Sequence, residues 1–305
     1  MSGKDELQTR ILRELMTPQS SFRWDVNESY SSIARKLRIA DDTVRKKLLD
    51  AKRLGFWEGW ALVLNPHIIG REAASIVLDV GDVANKPAFI SQIRLIDGVH
   101  TIFNFHGEGV RIELYYTNER ELGRKLELIK RICRGKSEVY WTSYFPSSDL
   151  KLRRTDWEII KALRKNPRRR ISELAAELEL SVRTVKRRLS LMIEGKAFFL
   201  LPRSNLRKYP GITCVFLIHC PDQLLKGKND RLVAQDLEGI VFTHTGSKEY
   251  STFAVVRRNL SEEEEVCHWI FRQPGVHSLR MDVLNEIIQV FDWFDEEIER
   301  HLSGV

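Results

Sequence analysis

Arg183, Lys186, Arg187 and Arg188 cluster on one short stretch, with Thr184 among them and no Asp or Glu between Arg183 and Met192. On a helix, Arg183 and Arg187 lie four apart and share a face, with Lys186 beside them. A guanidinium on such a helix can bind a guanine edge bidentately in a duplex major groove. Arg168, Arg169 and Arg170 stand just upstream, placed for backbone phosphates. The chemistry these residues suit is recognition of a polyanion.

The positioning elements follow from the apolar spacing. Val185, Leu189 and Met192 or Ile193 form the buried stripe of a helix that Ser181 can cap by accepting from a free first-turn amide. A shorter helix precedes it, Leu174-Ala-Ala-Glu-Leu178, with Ser172 as its expected cap. A short apolar helix, a tight gap and a basic helix form a helix-turn-helix. The same pattern stands 141 residues earlier, as Ile33-Ala-Arg-Lys-Leu37 and then Thr43-Val-Arg-Lys-Lys-Leu48. Thr43, Arg45, Lys46 and Lys47 are that copy's candidate contacts to DNA. Ala40, Asp41 and Asp42 replace Ser181, Val182 and Arg183, so the cap is lost and carboxylates face the phosphates. Weaker DNA contact is expected of the first copy.

The repeat continues at the same offset: Gly70 matches Gly211, Gly98 matches Gly239, Asn118 matches Asn259 and Glu121 matches Glu262. The chain therefore divides as A-B-A′-B′, into 1–72, 73–150, 151–211 and 212–305. Pro146-Ser-Ser-Asp149 reads as the link between halves. Helices are expected at the start of each A block, over Leu7–Leu15 and Ile159–Leu163. The first copy carries extra residues within Thr17–Tyr30, including Phe22 and Trp24, read as a loop folded back on its domain. Each B block alternates strand and helix. The first predicts strands at Ala74–Val80, Val99–Phe105, Val110–Tyr116 and Glu138–Phe145, with helices at Pro87–Leu95 and Glu119–Cys133. The second predicts strands at Thr213–His219, Ile240–Thr245, Tyr250–Val256 and Val276–Leu284, with helices at Asp230–Leu237 and Ser261–Phe271. That order, β-α-β-β-α-β, is the ferredoxin-like split motif. A last amphipathic helix is expected over Asn285–Leu302, packed on the protein's own core or on a second subunit. The expected class is α+β, with two winged-type helix-turn-helix domains alternating with two ferredoxin-like domains.

Charge follows the same blocks. The formal net charge is +7, but residues 151–211 hold 17 basic and 6 acidic groups, whereas 212–305 hold 9 and 16. A basic module beside an acidic one suits a polyanion binder attached to a non-binding module. No apolar run approaches the ~20 residues that span a bilayer, and the N-terminus lacks a secretory signal. A cytoplasmic, nucleoid-associated protein with no membrane partner is expected. The four cysteines are scattered, which suits reduced thiols rather than a metal site. His100, His106, His219, His244 and His268 show no telling spacing.

These motifs resemble those of the Lrp/AsnC family of transcription factors. The resemblance covers nearly the whole chain and rests on the two Thr-Val-x-x-[Lys/Arg]-Leu helices, the β-α-β-β-α-β order, and Gly55-Phe56, Gly59-Trp60-Ala-Leu-Val-Leu-Asn-Pro66 and Gly70, which look like the family's connecting segment. The usual member has one copy and this chain has two. The resemblance implies effector domains that pair through their sheets, here within one chain, giving an intramolecular pseudo-dimer open to further homo-oligomerisation. It also implies a small-molecule effector near the loops holding Gly107-Glu108 and Gly246.

The leading expectation is a DNA-binding regulator, not an enzyme, with no cofactor, reading an imperfect palindrome in double-stranded DNA. A chromatin-like architectural protein ranks second. Third ranks a sirohaem-decarboxylase-like enzyme, because some fused two-copy proteins resembling the family have that activity.

Overall fold

The computed structural model describes residues 7, 10, 11, 14, 30–133, 138–164, 166–205, 208, 211–244, 246–257, 259–261 and 263–303. Most of the expected first helix and the insertion with Phe22 and Trp24 lie outside the described residues.

The first helix-turn-helix pairs α1 (Tyr30–Leu37) with α2 (Asp41–Arg53). The second consists of α5 (Arg154–Leu163), α6 (Ile171–Glu177) and α7 (Val182–Glu194). Arg38 and Glu179, equivalent in the repeat, both take left-handed backbone at the turn, with φ of 56° and 53°. The repeat therefore extends to backbone conformation. Each unit leads into a strand, β1 (Trp57–Leu64) or β6 (Phe198–Ser204), and these two pair antiparallel. Asn65 locks the crossing, its amide donating to the Pro146 and Lys196 carbonyls at 2.9 Å each.

The B blocks hold β2 (Glu72–Asp79), α3 (Lys86–Ile93), β3 (Val99–Phe105), β4 (Gly109–Tyr116), α4 (Glu119–Cys133) and β5 (Glu138–Ser143), then β7 (Ile212–His219), α8 (Gln223–Asp236), β8 (Ile240–His244), β9 (Tyr250–Arg257), α9 (Glu263–Phe271) and β10 (Ser278–Gln289). All the strands belong to one eight-stranded sheet, ordered β5-β2-β4-β3-β10-β7-β9-β8. Each half supplies four neighbours in the same relative order, as two split β-α-β units must. At Gly98 and Gly239, added Cβ atoms would sit 2.3 and 2.8 Å from the carbonyls of Tyr115 and Val256, so β3 and β8 enter beside their neighbours only with glycine there.

The halves join where β10 pairs β3, with Ile287 opposite Phe103 and Ile288 opposite Ile102. The expected helix over Asn285–Leu302 is corrected here. Asn285–Gln289 extends β10, and the helix, α10, spans Asp292–Ser303. Ile287, Ile288 and Phe291 match helical spacing, but Ile287 and Ile288 pair with β3, which satisfies their backbone and overrides it. α10 then crosses to the second helix-turn-helix. His301 stacks on Trp157 at 4.1 Å, Arg164 pairs with Asp295 at 3.0 Å, and Trp293, Phe294 and Ile298 enter the main core.

Among the described residues, no helix is long and apolar enough to cross a membrane, and no group of three His, Cys, Asp or Glu side chains is placed to hold a metal. The four cysteines are free thiols.

Candidate functional site

The structure sorts the candidate DNA-contact residues into three groups. Arg170, Arg183, Lys186 and Arg187 are exposed on α6 and α7, and Thr184 is half-buried. Ser181 caps α7 as its sequence position suggests, accepting from the Thr184 amide at 3.0 Å. Ser172 does not cap α6, which starts at Ile171 with Arg170 at the cap position and no side-chain bond.

The second group is structural. Arg188 is 7% exposed and forms a two-pronged ion pair with Asp156, its Nε donating at 2.5 Å. That bond raises the guanidinium's pKa. Its assignment as a groove contact is corrected: the side chain turns inward because Asp156, fully buried in the first turn of α5, needs a cation. Arg168 lies half-buried over the rings of Tyr30 at 4.6 Å and Trp60 at 5.8 Å, and Arg169 is paired with Glu177. Neither points freely at a phosphate as the sequence suggested.

The third group belongs to the first copy. Arg45 and Lys46 are exposed, while Thr43 and Lys47 are half-buried. Ala40 provides no cap, and Ser31 donates to the carboxylate of Asp41.

The second site is the seam between the halves. Arg111 and Thr252 occupy equivalent positions 141 residues apart, and the guanidinium donates to the Thr252 hydroxyl at 2.7 Å. The contact thus lies where the internal symmetry relates the halves. Arg111 also donates to Glu113 at 2.5 Å and sits 5.1 Å over Trp141, which stacks on Tyr250 at 4.7 Å. A small apolar cluster of Phe105, Val215, Ala254 and Leu284 fills the space beside it.

The two ends of the seam differ. At one, the Tyr144 amide donates to the Gly246 carbonyl at 2.5 Å, and Pro146 then carries the chain away. A Cβ on Gly246 would stand 2.9 Å from the Tyr144 carbonyl, so this end is tightly closed. At the other, the His106 amide donates to the Val283 carbonyl at 2.8 Å, and a cavity of about 420 Å³ opens between the halves. His106, Thr213 and Asn285 supply its polar groups, and Ile212, Leu260 and Leu284 its apolar wall. Gly107 and Glu108 form the exposed turn after His106, with Lys86 donating to the Gly107 carbonyl from below at 2.8 Å.

Of the five histidines noted in the sequence, His106 is the one that lines this cavity. Burial holds His100 and His244 neutral, each with its pKa lowered to about 3, Arg111 adding to the effect at His244. His219 stacks on Tyr250 at 4.5 Å, and His268 is exposed on α9. Asn285 and Thr213 were invisible as site residues because the cavity is built by two halves whose juxtaposition no local spacing reveals.

Residues 152–195 match the winged helix-turn-helix DNA-binding family. No curated protein matches the sequence. The chain is similar in structure to the sirohaem decarboxylase NirDL, with a TM-score of 0.56 and 13% identity over 97% of this chain and 99% of that one. NirDL in complex with an iron-uroporphyrin III analogue gives 0.55 and 14%, covering 98% and 99%. An AsnC-family transcriptional regulatory protein from Pyrococcus furiosus covers only 48% of this chain, though 97% of its own, with 17% identity and a TM-score of 0.32. The expectation of a transcription regulator that is not an enzyme is thereby corrected. The structure that this chain follows from end to end is that of an enzyme, and the helix-turn-helix match accounts for one segment. The chain shares the overall fold of NirDL, with paired helix-turn-helix units and paired β-α-β-β-α-β units on one polypeptide.

Proposed function

We propose that this protein is a decarboxylase acting on a sirohaem-class tetrapyrrole. The observation that carries the reading is the near-complete coverage of NirDL, both helix-turn-helix units included. The reaction is redox-neutral: a ring acetate loses CO2 and its methylene carbon takes up one proton, leaving a methyl group. The protein must hold carboxylates, exclude bulk water and deliver that proton.

The seam cavity suits the last task. Its volume of about 420 Å³ admits one edge of a macrocycle rather than the whole ring. His106 stands at its mouth as the proton donor, with Asn285 and Thr213 as hydrogen-bonding partners for a carboxylate arm. We assign Gly107 and Glu108, and on the closed side Gly246, to loops flanking this seam. We place the module boundaries at 1–72, 73–150, 151–211 and 212–305.

The test is anaerobic incubation of the full chain with sirohaem, with products read by mass. Stepwise loss of CO2 from the acetate arms supports the reading. Unaltered sirohaem, with no tetrapyrrole retained by the protein, overturns it. His106→Gln is expected to lower kcat by about 100-fold or more with little change in binding, the scale of a lost general acid.

A second reading concerns the module at 151–211 alone. Its match to a DNA-binding family and the exposed Arg170, Arg183, Lys186 and Arg187 favour contact with duplex phosphates. Each such contact adds about −0.9 to the slope of log affinity against log salt, so Arg187→Ala flattens the slope by about one contact.

A further inference from the structure

The turn that carries His106 is pinned from outside itself. His106, Gly107 and Glu108 join β3 to β4, and all three are exposed. A surface turn is ordinarily mobile. Here the Lys86 ammonium donates to the Phe105 carbonyl at 2.5 Å and to the Gly107 carbonyl at 2.8 Å. Between them the His106 amide donates to the Val283 carbonyl at 2.8 Å, and the Glu108 carbonyl accepts from the Val80 amide at 3.0 Å. Lys86 itself is 5% exposed at the start of α3. Burial lowers its pKa, while Asp282 and Asp79 act to keep it charged. Arg280 ties the other two anchors together. It donates to Asp79, beside Val80, at 2.6 and 3.1 Å, and to Asp282, beside Val283, at 2.6 and 3.0 Å. A Cβ on Gly109 would stand 2.7 Å from the Arg280 Nη2, so a larger residue there would push the guanidinium aside.

We propose that Lys86 and Arg280 are positioning residues that fix His106 at the mouth of the seam cavity. Their role rests on the reading of that cavity as the reaction site. Lys86 sets the backbone on both sides of His106. Arg280 sets the two strands, β2 and β10, whose ends hold the rest of the turn. Neither side chain lines the cavity, so each acts through the turn. The other half carries no counterpart. At the equivalent positions Gly227 stands for Lys86, Val139 for Arg280, Cys220 for Asp79, Trp141 for Asp282 and Ser247 for His106. A device that served only to hold a β-α-β-β-α-β unit together would be expected in both halves. Its confinement to the turn with the histidine points to placement of that side chain. A proton donor gains from such placement, because a displacement of about 1 Å can cost on the order of 100-fold in rate.

The experiment compares the full wild-type chain with Lys86→Met, Arg280→Gln and Lys86→Arg. Two readouts are taken: hydrogen–deuterium exchange of the peptide spanning Phe105 to Gly109, and kcat and KM on sirohaem. Lys86→Met and Arg280→Gln are each expected to speed exchange of the turn about tenfold or more. Each is also expected to lower kcat by about 10- to 100-fold with KM little changed. Lys86→Arg, which keeps a cation and its donors, is expected to recover most of both. Ser181→Ala, in the second helix-turn-helix, is expected to change neither, which separates placement of the turn from general loss of stability. Should Lys86→Met fail to fold, Arg280→Gln carries the same comparison. Exchange at the wild-type rate in both variants overturns the proposal, and so does wild-type kcat in both. If the wild type leaves sirohaem intact, the decarboxylase reading falls, and the exchange comparison alone decides whether Lys86 and Arg280 set the turn.

Discussion

The two helix-turn-helix copies share a backbone and differ in what holds it. The second has a capped recognition helix and a buried Arg188–Asp156 pair beneath it. It is also tied to the main core by α10, through Trp157–His301 and Arg164–Asp295. The first has no cap at Ala40 and a half-buried Lys47 at the position of Arg188. The seam repeats the contrast, closed at Tyr144–Gly246 and open at His106. Equal backbones thus carry unequal side-chain support in the two copies.

The largest expected effect separates the two copies directly. Asp156→Ala leaves Arg188 buried without its carboxylate, which costs about 3–5 kcal/mol. Lys47→Ala, at the equivalent position, is expected to cost under about 1 kcal/mol. Urea unfolding of the full chain compares them, and equal losses would erase the distinction.

The next effect lies in pH. His100 and His244 have folded pKa values of about 3 against 6.5 when free. Both are depressed, so between those values the unfolded chain binds more protons and stability falls as pH falls. The slope is up to about 1.4 kcal/mol per pH unit for each histidine. His244→Asn and His100→Asn should each flatten the thermal-midpoint profile between pH 6.5 and 3. An unchanged profile in both would remove the buried neutral histidines from the account.

Smaller still is the cap. Ser181→Ala is expected to cost ~1 kcal/mol, and Ala40→Ser to recover part of that in the first copy. The smallest effect concerns Lys196, which takes the left-handed position that Gly55 fills in the first copy, with φ of 51° against 70°. Lys196→Gly should stabilise by roughly 0.5 kcal/mol, the relief of strain exceeding the added freedom of the unfolded chain. A loss of stability would mean that the Lys196 side chain contributes more than its backbone costs.

Much of the fold was legible. The 141-residue offset, the β-branched strands and the glycines at 98 and 239 specify two matching β-α-β-β-α-β units, because strand pairing and close approach are local demands. What escaped depended on distant partners. Arg188 looks like one more surface cation until Asp156, 32 residues earlier, is seen beneath it. Asn285–Gln289 reads as helix until β3 is seen beside it. His106 gains meaning only when Thr213 and Asn285 arrive from the other half. The basic helix is the loudest local signal in the sequence, whereas the likeness to NirDL lies in the arrangement of the whole chain.

The decarboxylase site is proposed to lie at the seam of the unequal halves. Its most direct test is mass analysis of sirohaem after anaerobic incubation with the wild-type chain and with His106→Gln. Loss of CO2 from the acetate arms by the wild type is expected, with a rate lower by about 100-fold in the variant. Sirohaem recovered intact from the wild type would contradict the activity. Equal rates in the two proteins would contradict the place assigned to it.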